Sequence, residues 1–316
     1  MQYLKSVELM VPIYNEEESI ETFVKTVESH LDNLPYDFSF IFVDDGSTDS
    51  TVQILQTLPT WPTRIVKLSR NYGKEIAVQC GLDQSNADAL VLLDVDLQDP
   101  IQLVPNFIQE WENGYEIVYG IRTNRENDSF FQRITSGFFY RIFLKLSNVE
   151  FPPHTTDARL MARKVVGALK LVKETNRYNK GIFHSIGFKS KGIEFKREKR
   201  RFGSSRWNTK KLFRLAVDAL LSFTTKPLNW STYLGSVSAL VAIFLSIYYT
   251  ARKIFFGIGP SGYTSVIVAI LFLGAIQLIS LGILGLYISQ LVGETKKRPL
   301  YFVSDTIQIN DYQDRA

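Results

Sequence analysis

At 316 residues, 45% of them hydrophobic and 22% charged, the chain can bury one sizeable core with material left over, which excludes global disorder. A formal charge of +4 is too small to argue for a nucleic-acid partner; the single cysteine, Cys80, permits no intramolecular disulfide; and His30, His154 and His184 make no zinc-ligand spacing. A reducing compartment fits this composition, and a structural zinc site does not.

Residues 1–225 read as one layered domain. Apolar or β-branched runs at 7–13, 39–43, 64–68, 90–95 and 116–121 alternate with helix-like stretches at 16–33, 48–58, 74–85 and 101–113. This order predicts an α/β fold around a mostly parallel sheet. Ligands of such sheets collect beyond the carboxyl ends of the strands. Here the strand ends are "PIYNEEE" (12–18), "VDDGSTD" (43–49), "DVDLQD" (94–99) and "GIRTNR" (120–125), polar or charged where a plain core would simply turn.

Each end offers particular chemistry. Pro12 fixes φ where the first strand stops, Tyr14 can stack on a nucleobase, and Glu16 opens an acidic triplet that also suits a helix start. Asp44 and Asp45 can accept from a nucleobase or ribose, while Gly46 to Asp49 read equally well as a capped turn. Asp94 and Asp96 form a D-x-D pair with Gln98 two further on. On an extended segment alternate residues face the same way, so the three present hard oxygen ligands for Mg²⁺ or Mn²⁺ bridging to a diphosphate.

Further along, 129–148 is apolar at 130, 131, 134, 138, 139, 142, 143 and 146 with Arg133, Arg141 and Lys145 interspersed, the pattern of a helix in a lipid headgroup layer or of an amphipathic core helix. The segment 196–207, "KREKRRFGSSRW", is strongly basic, and arginines bind phosphate oxygens bidentately. A second amphipathic stretch, 209–224, leads into two uncharged apolar runs, 230–250 and 265–289, each long enough for the ~20 residues that cross a bilayer. They predict a transmembrane hairpin over 229–290. Lys210, Lys211, Arg214 and Lys226 before it and Lys296, Lys297 and Arg298 after it, against Arg252 and Lys253 between the spans, place both termini and the 1–225 domain in the cytoplasm of an inner (plasma) membrane protein. No export signal is expected at the start. The remaining 291–316 is a cytoplasmic tail, β-prone after Pro299, that can add a strand to a neighbouring subunit.

"VPIYNEEESI", "VDDGSTDST", "NYGKEIAVQCGLDQSNAD" and "LVLLDVDLQDP", in this order and spacing, resemble the inverting glycosyltransferases of family 2 with a GT-A type domain. With the C-terminal spans the likeness extends to the polyprenyl-phosphate glycosyltransferases, nearer to bactoprenol glucosyltransferases than to dolichol-phosphate mannose synthases. The resemblance implies that Pro12, Tyr14, Glu16 and Asp45 hold the nucleoside, that Lys74 and Asp94 lie at the sugar nucleotide, that Asp94, Asp96 and Gln98 hold the cation and diphosphate, and that Arg122, Arg133, Ser136, Arg200 and Arg206 grip lipid phosphate and diphosphate. It also implies that Asp157 stands at the acceptor, although Thr156 and Ala158 depart from the family pattern around it.

The implied reaction is inverting transfer of a hexose, glucose from UDP-glucose, to undecaprenyl phosphate, with Asp96 and Asp157 as catalytic residues. A lipid monophosphate has its second pKa near ~6, so it attacks without a general base, and Asp157 then positions the acceptor or a cation. A homotetramer, a flippase and a downstream transferase follow from the family as partners. A processive polysaccharide synthase requires a Q-x-x-R-W signature, and Gly203 stands where its glutamine would be before Arg206-Trp207. A non-enzymatic nucleotide-sugar sensor or scaffold predicts lost carboxylates at 94 and 96, which are present. No Walker A sequence occurs, and the one G-x-G-x-x-G spacing, at 257–262, falls between the two apolar runs and not after a strand-like run, which argues against those phosphate-binding loops.

Overall fold

The computed structural model describes residues 4–123, 152, 154–175, 177–196, 224–256 and 262–310. They fall into two compact units, one built on a sheet and the other on two long apolar helices.

The sheet unit starts with β1 (Ser6–Ile13), α1 (Ile20–Leu31), β2 (Asp37–Asp44), α2 (Thr51–Leu55), β3 (Thr63–Leu68), α3 (Lys74–Gln84), β4 (Ala89–Leu92), α4 (Leu103–Glu112) and β5 (Ile117–Arg122). It continues with β6 (Thr155–Ala162), α5 (Arg163–Lys170), α6 (Asn179–Ser185), β7 (Ser190–Phe195) and, after the apolar helices, β8 (Val303–Ile309). Its eight strands run in the order β7-β5-β6-β4-β1-β2-β3-β8. Among the described strands only β6 and β8 lie antiparallel to their neighbours, so the mostly parallel α/β layer expected from the sequence is present.

The strand β1 is apolar on both faces because helices cover both; Val7, Leu9, Met10 and Val11 are fully buried. On α1 the spacing of Ile20, Phe23, Val24, Val27 and Leu31 puts one stripe into the core. Helix α3 packs on β1 and β2, and Gly81 faces Met10 so closely that any side chain at 81 would overlap the methionine sulfur. Burial of each large apolar side chain contributes about 1.5–3 kcal/mol.

Two consequences of topology position the site. The chain leaves β1 toward β2 on one side and returns from β3 to β4 on the other, so the crevice beyond β1 and β4 is a switch point where loops diverge. Because β6 is antiparallel to β4 and β5, its first residues, Thr155 to Asp157, emerge at the same sheet edge as the carboxyl ends of β1, β2, β4 and β5.

Several boundaries differ from the sequence expectations. Helix α1 begins at Ile20 rather than 16, because Glu16 forms a turn that accepts the Ser19 and Ile20 N–H groups on its carbonyl. Strand β4 stops at Leu92, not 95, and Leu97 takes φ 50, so Asp94, Asp96 and Gln98 sit on a loop and not on strand backbone. The 291–316 segment divides: a helix runs on to Thr295, whereas β8 pairs antiparallel with β3, Ile65 opposite Ile307, and belongs with the sheet. The strand expected to pair with a neighbouring subunit thus completes the chain's own sheet; it satisfies the open edge of β3, and Tyr301 Oη fastens it to α3 by donating to Asp83 Oδ2 at 2.9 Å.

The second unit consists of α7 (Lys226–Phe256) and α8 (Tyr263–Thr295), both long and apolar enough to cross a membrane by length and composition. Thirty residues of helix span about 45 Å, against a hydrocarbon core of about 30 Å. Tyr287 Oη donates to the Thr224 carbonyl at 2.8 Å at the foot of this pair. Of the amphipathic stretches expected at 129–148 and 209–224, all but Thr224 lies outside the described residues.

Candidate active site

The loops beyond β1 and β2 clasp each other through short polar side chains. Asn15, at φ 53, donates its N–H to Ser47 Oγ at 2.9 Å and accepts the Thr48 N–H on Oδ1 at 2.8 Å. Glu16 donates its N–H to Thr51 Oγ1 at 2.8 Å, and its carboxylate accepts the Ser19 hydroxyl at 2.6 Å. Glu17 accepts the Ser50 N–H at 3.1 Å. Pro12, Tyr14 and Glu16 are partly exposed at this edge.

Asp44 and Asp45 do different work. Asp44 is buried; its Oδ1 accepts the Ser47 N–H at 3.0 Å and its Oδ2 has no hydrogen-bond partner among the described residues. Asp45 accepts the Tyr72 N–H at 2.7 Å and the Gly73 N–H at 2.8 Å, one on each oxygen, so it anchors the loop that starts α3. Burial raises its carboxyl pKa, opposed by those two N–H groups. Gly46 between the loops has φ 76, and a side-chain carbon there would lie 2.7 Å from the Arg70 carbonyl carbon, so only glycine fits the turn.

The start of α3 carries the centre of the site. Lys74 Nζ lies 2.6 Å from Asp94 Oδ1 and 2.6 Å from Asp157 Oδ2, joining the loop after β4 to the start of β6. Burial alone would lower the Lys74 ammonium, but Asp157 and then Asp94 outweigh it and hold it well above the ordinary lysine value. Likewise burial would raise Asp157, but Lys180, Lys74 and Arg159 hold it well below the usual carboxylate range. A carboxylate so stabilised as the anion is a poor proton acceptor.

Beneath Asp157 lies a support that the sequence reading missed. Arg159 is fully buried, donates from Nε to the Asp157 carbonyl at 3.0 Å and from an Nη to the Thr156 carbonyl at 2.9 Å, and stacks over the Phe183 ring at 4.1 Å. Burial pulls its pKa down to about 10. Lys180 Nζ stands 3.5 Å from Asp157 Oδ1, and Glu75, raised by burial and then by Asp157, accepts the Asn179 N–H at 2.9 Å. The signal for Arg159 is its place two residues after Asp157 on the same strand, hence on the same face. Lys180 and Asn179 carry no such local pattern.

For the cation, the exposure pattern survives although the strand does not: Asp94, Asp96 and Gln98 are partly open while Val95, Leu97 and Asp99 are buried. Asp96 Oδ1 accepts the Gln98 N–H at 3.2 Å and folds the loop. Among the described residues no three histidine, cysteine or carboxylate groups form a metal cage. Two carboxylates with one amide oxygen nevertheless fit Mg²⁺ or Mn²⁺ of the kind held by one or two carboxylates plus substrate phosphates. Arg122 closes β5 at the same edge, whereas Arg133, Ser136, Arg200 and Arg206 lie outside the described residues.

The family described as Glycosyl transferase family 2 matches residues 8–169. A prophage bactoprenol glucosyl transferase homolog of Escherichia coli is 41% identical over 299 residues, covering 94% of this chain and 98% of its own. An uncharacterized glycosyltransferase of Synechocystis sp. is 39% identical over 301 residues, 94% of each chain. Among solved structures, glucosyl-3-phosphoglycerate synthase from Mycobacterium tuberculosis in complex with phosphoglyceric acid aligns over 69% of this chain and 79% of its own, at 18% identity and a TM-score of 0.47.

Proposed function

The chain belongs to glycosyl transferase family 2, a glycosyltransferase with a GT-A type α/β sheet, and from that membership we propose that it moves glucose from UDP-glucose onto the phosphate of undecaprenyl phosphate with inversion. Likeness over nearly the whole chain to proteins named bactoprenol glucosyl transferase supports the sugar and the lipid. The observation that carries the reading is the state of Asp157. Held as an anion by Lys74 and Lys180, it is poorly suited to take a proton from a sugar hydroxyl, and a phosphate acceptor needs none taken.

In this reading Tyr14 and Pro12 border the nucleoside, and Glu16 and Asp45 hold the loops around it. Asp94, Asp96 and Gln98 would hold the divalent cation, which when bound would neutralise the departing diphosphate. Lys74 then keeps Asp157 and shifts its second contact from Asp94 to the sugar nucleotide. Asp157 orients the two ammonium groups around the incoming phosphate, so that its oxygen meets the anomeric carbon from the face opposite the diphosphate. Arg122, with Arg133, Ser136, Arg200 and Arg206, completes the anion site. The two apolar helices anchor the sheet unit at the cytoplasmic face of the inner membrane beside its lipid, with both termini inside; assembly as a homotetramer and hand-over to a flippase and a second transferase belong to the same proposal.

The test is transfer of radiolabelled glucose from UDP-glucose to undecaprenyl phosphate by the purified chain, with and without divalent cation. A cation-dependent glycolipid is expected. Product with another nucleotide sugar only would change the donor, and none with any donor would overturn the reading. Cross-linking in membranes that traps only monomers would remove the tetramer.

A further inference from the structure

The helix α6 meets the charged cluster through a lysine on which no sequence motif converges. Lys180 Nζ donates to the Thr155 carbonyl at 3.2 Å and lies 3.5 Å from Asp157 Oδ1, with its side chain still 25% exposed. The backbone just before it is clamped. Asn179, 5% exposed, donates its N–H to Glu75 Oε2 at 2.9 Å and its side-chain amide to the Glu75 carbonyl at 3.0 Å, while Arg177 Nε donates to Asn179 Oδ1 at 3.1 Å and an Arg177 Nη to the Val172 carbonyl at 2.8 Å. This clamp fixes the start of α6 on the first turn of α3, one residue from Lys74.

The two lysines are not equivalent. Among the described residues Lys74 has two carboxylates, each at 2.6 Å, whereas Lys180 has a single carboxylate contact, longer and shared with Lys74. Asp157 therefore faces two ammonium groups, with the buried Arg159 guanidinium held against its own carbonyl. Once Asp94 turns to the donor's cation, positive charge exceeds negative around Asp157. An excess of that kind, partly open to solvent, suits a phosphate monoester and gives a neutral hydroxyl no advantage.

We propose that Lys180 is a binding residue for the acceptor's phosphate, exchanging Asp157 Oδ1 for a phosphate oxygen as the acceptor enters; the proposal rests on the acceptor assigned above. The same ammonium chemistry would also suit the diphosphate of the leaving nucleotide, so the two must be probed separately.

The experiment measures binding of farnesyl phosphate, and separately of UDP with Mn²⁺, to the detergent-solubilised full chain by calorimetry. Lys180→Met is expected to weaken farnesyl phosphate about tenfold or more, to leave UDP within about twofold, and to be largely rescued by Lys180→Arg. In turnover, KM for undecaprenyl phosphate rises more than kcat falls. Unchanged farnesyl phosphate binding would overturn the proposal, and an equal or larger loss of UDP affinity in a folded variant would move Lys180 to the leaving group. If Lys180→Met loses its thermal transition, Lys180→Gln against Lys180→Arg carries the same comparison: a farnesyl phosphate deficit in Gln alone supports the assignment, and equal binding by both overturns it. Wild-type protein that binds farnesyl phosphate but transfers no glucose would sink the reaction and leave the Lys180 assignment standing.

Discussion

Along one sheet edge, the loops beyond β1, β2 and β3 and the cluster joining α3, β4 and β6 satisfy their carboxylates by opposite means. In the loops, Asp45, Glu17 and Asp49 accept backbone N–H groups of neighbouring turns, so acidic residues that look like ligand binders are largely scaffold. In the cluster, Asp94 and Asp157 are met by the mobile ends of lysines. Backbone N–H groups cannot leave without unfolding a turn, whereas a lysine can exchange one anion for another at little structural cost. The first region holds a shape, and in the proposed reaction the second exchanges partners.

Substitutions that split activity from stability sharpen this contrast, and the largest effect belongs to the exchanging region. Asp96→Ala should lower glucosyl transfer about 10³-fold or more, through loss of a cation ligand, while costing only about 0.5–1.5 kcal/mol in urea unfolding for the lost bond to the Gln98 N–H. An equal loss of stability would make Asp96 scaffold as well. Asp45→Ala should do the reverse: it strands the Tyr72 and Gly73 N–H groups and costs about 1–3 kcal/mol in urea unfolding. A variant as stable as wild type but unable to bind UDP would break the comparison.

A pH series tests the surroundings of Asp157 from below. His184 donates from Nδ1 to the Lys180 carbonyl at 2.9 Å and packs edge-on to Tyr119; burial, and then the Arg159 and Lys180 charges, push its pKa down to about 4 despite the backbone bond. The unfolded chain, with histidine near the ordinary 6.5, takes the proton first. The stability associated with neutral His184 is therefore fully present above about pH 6.5 and is lost as pH falls toward about 4. His184→Gln should flatten that part of the urea-midpoint profile. The smallest effect is expected for Tyr301→Phe, which removes the bond to Asp83 that ties β8 to α3: about 0.5–1.5 kcal/mol in the same assay, with KM for the donor unchanged.

The parallel strands of the first 122 residues are legible because each is a short apolar run bounded by turn chemistry. Strands β6 and β7 are not, since β6 enters the sheet antiparallel between β4 and β5 from a distant segment, and no local pattern records such a partner. The β propensity of 303–309 is visible, but which edge it completes depends on the open N–H groups of β3, more than 230 residues earlier. At the site, Asp94, Asp96 and Asp45 stand out because carboxylates at strand ends are uncommon. The Lys74 bridge spans 83 residues to Asp157, and a single lysine carries no periodicity to betray it. Helix α2 starts at Thr51, three residues after the expected 48, where Asp49 Oδ1 takes both the Thr51 N–H and its hydroxyl.

The central claim, that Asp157 orients ammonium groups and does not remove a proton, is tested most directly by the pH dependence of kcat/KM for undecaprenyl phosphate in the wild type and in Asp157→Asn. The account predicts a loss of about 10²-fold in the variant that is uniform from pH 5.5 to 8, with the acidic limb in both proteins following the acceptor phosphate near ~6. An acidic limb that is present in the wild type and vanishes in Asp157→Asn would make Asp157 the general base and contradict it.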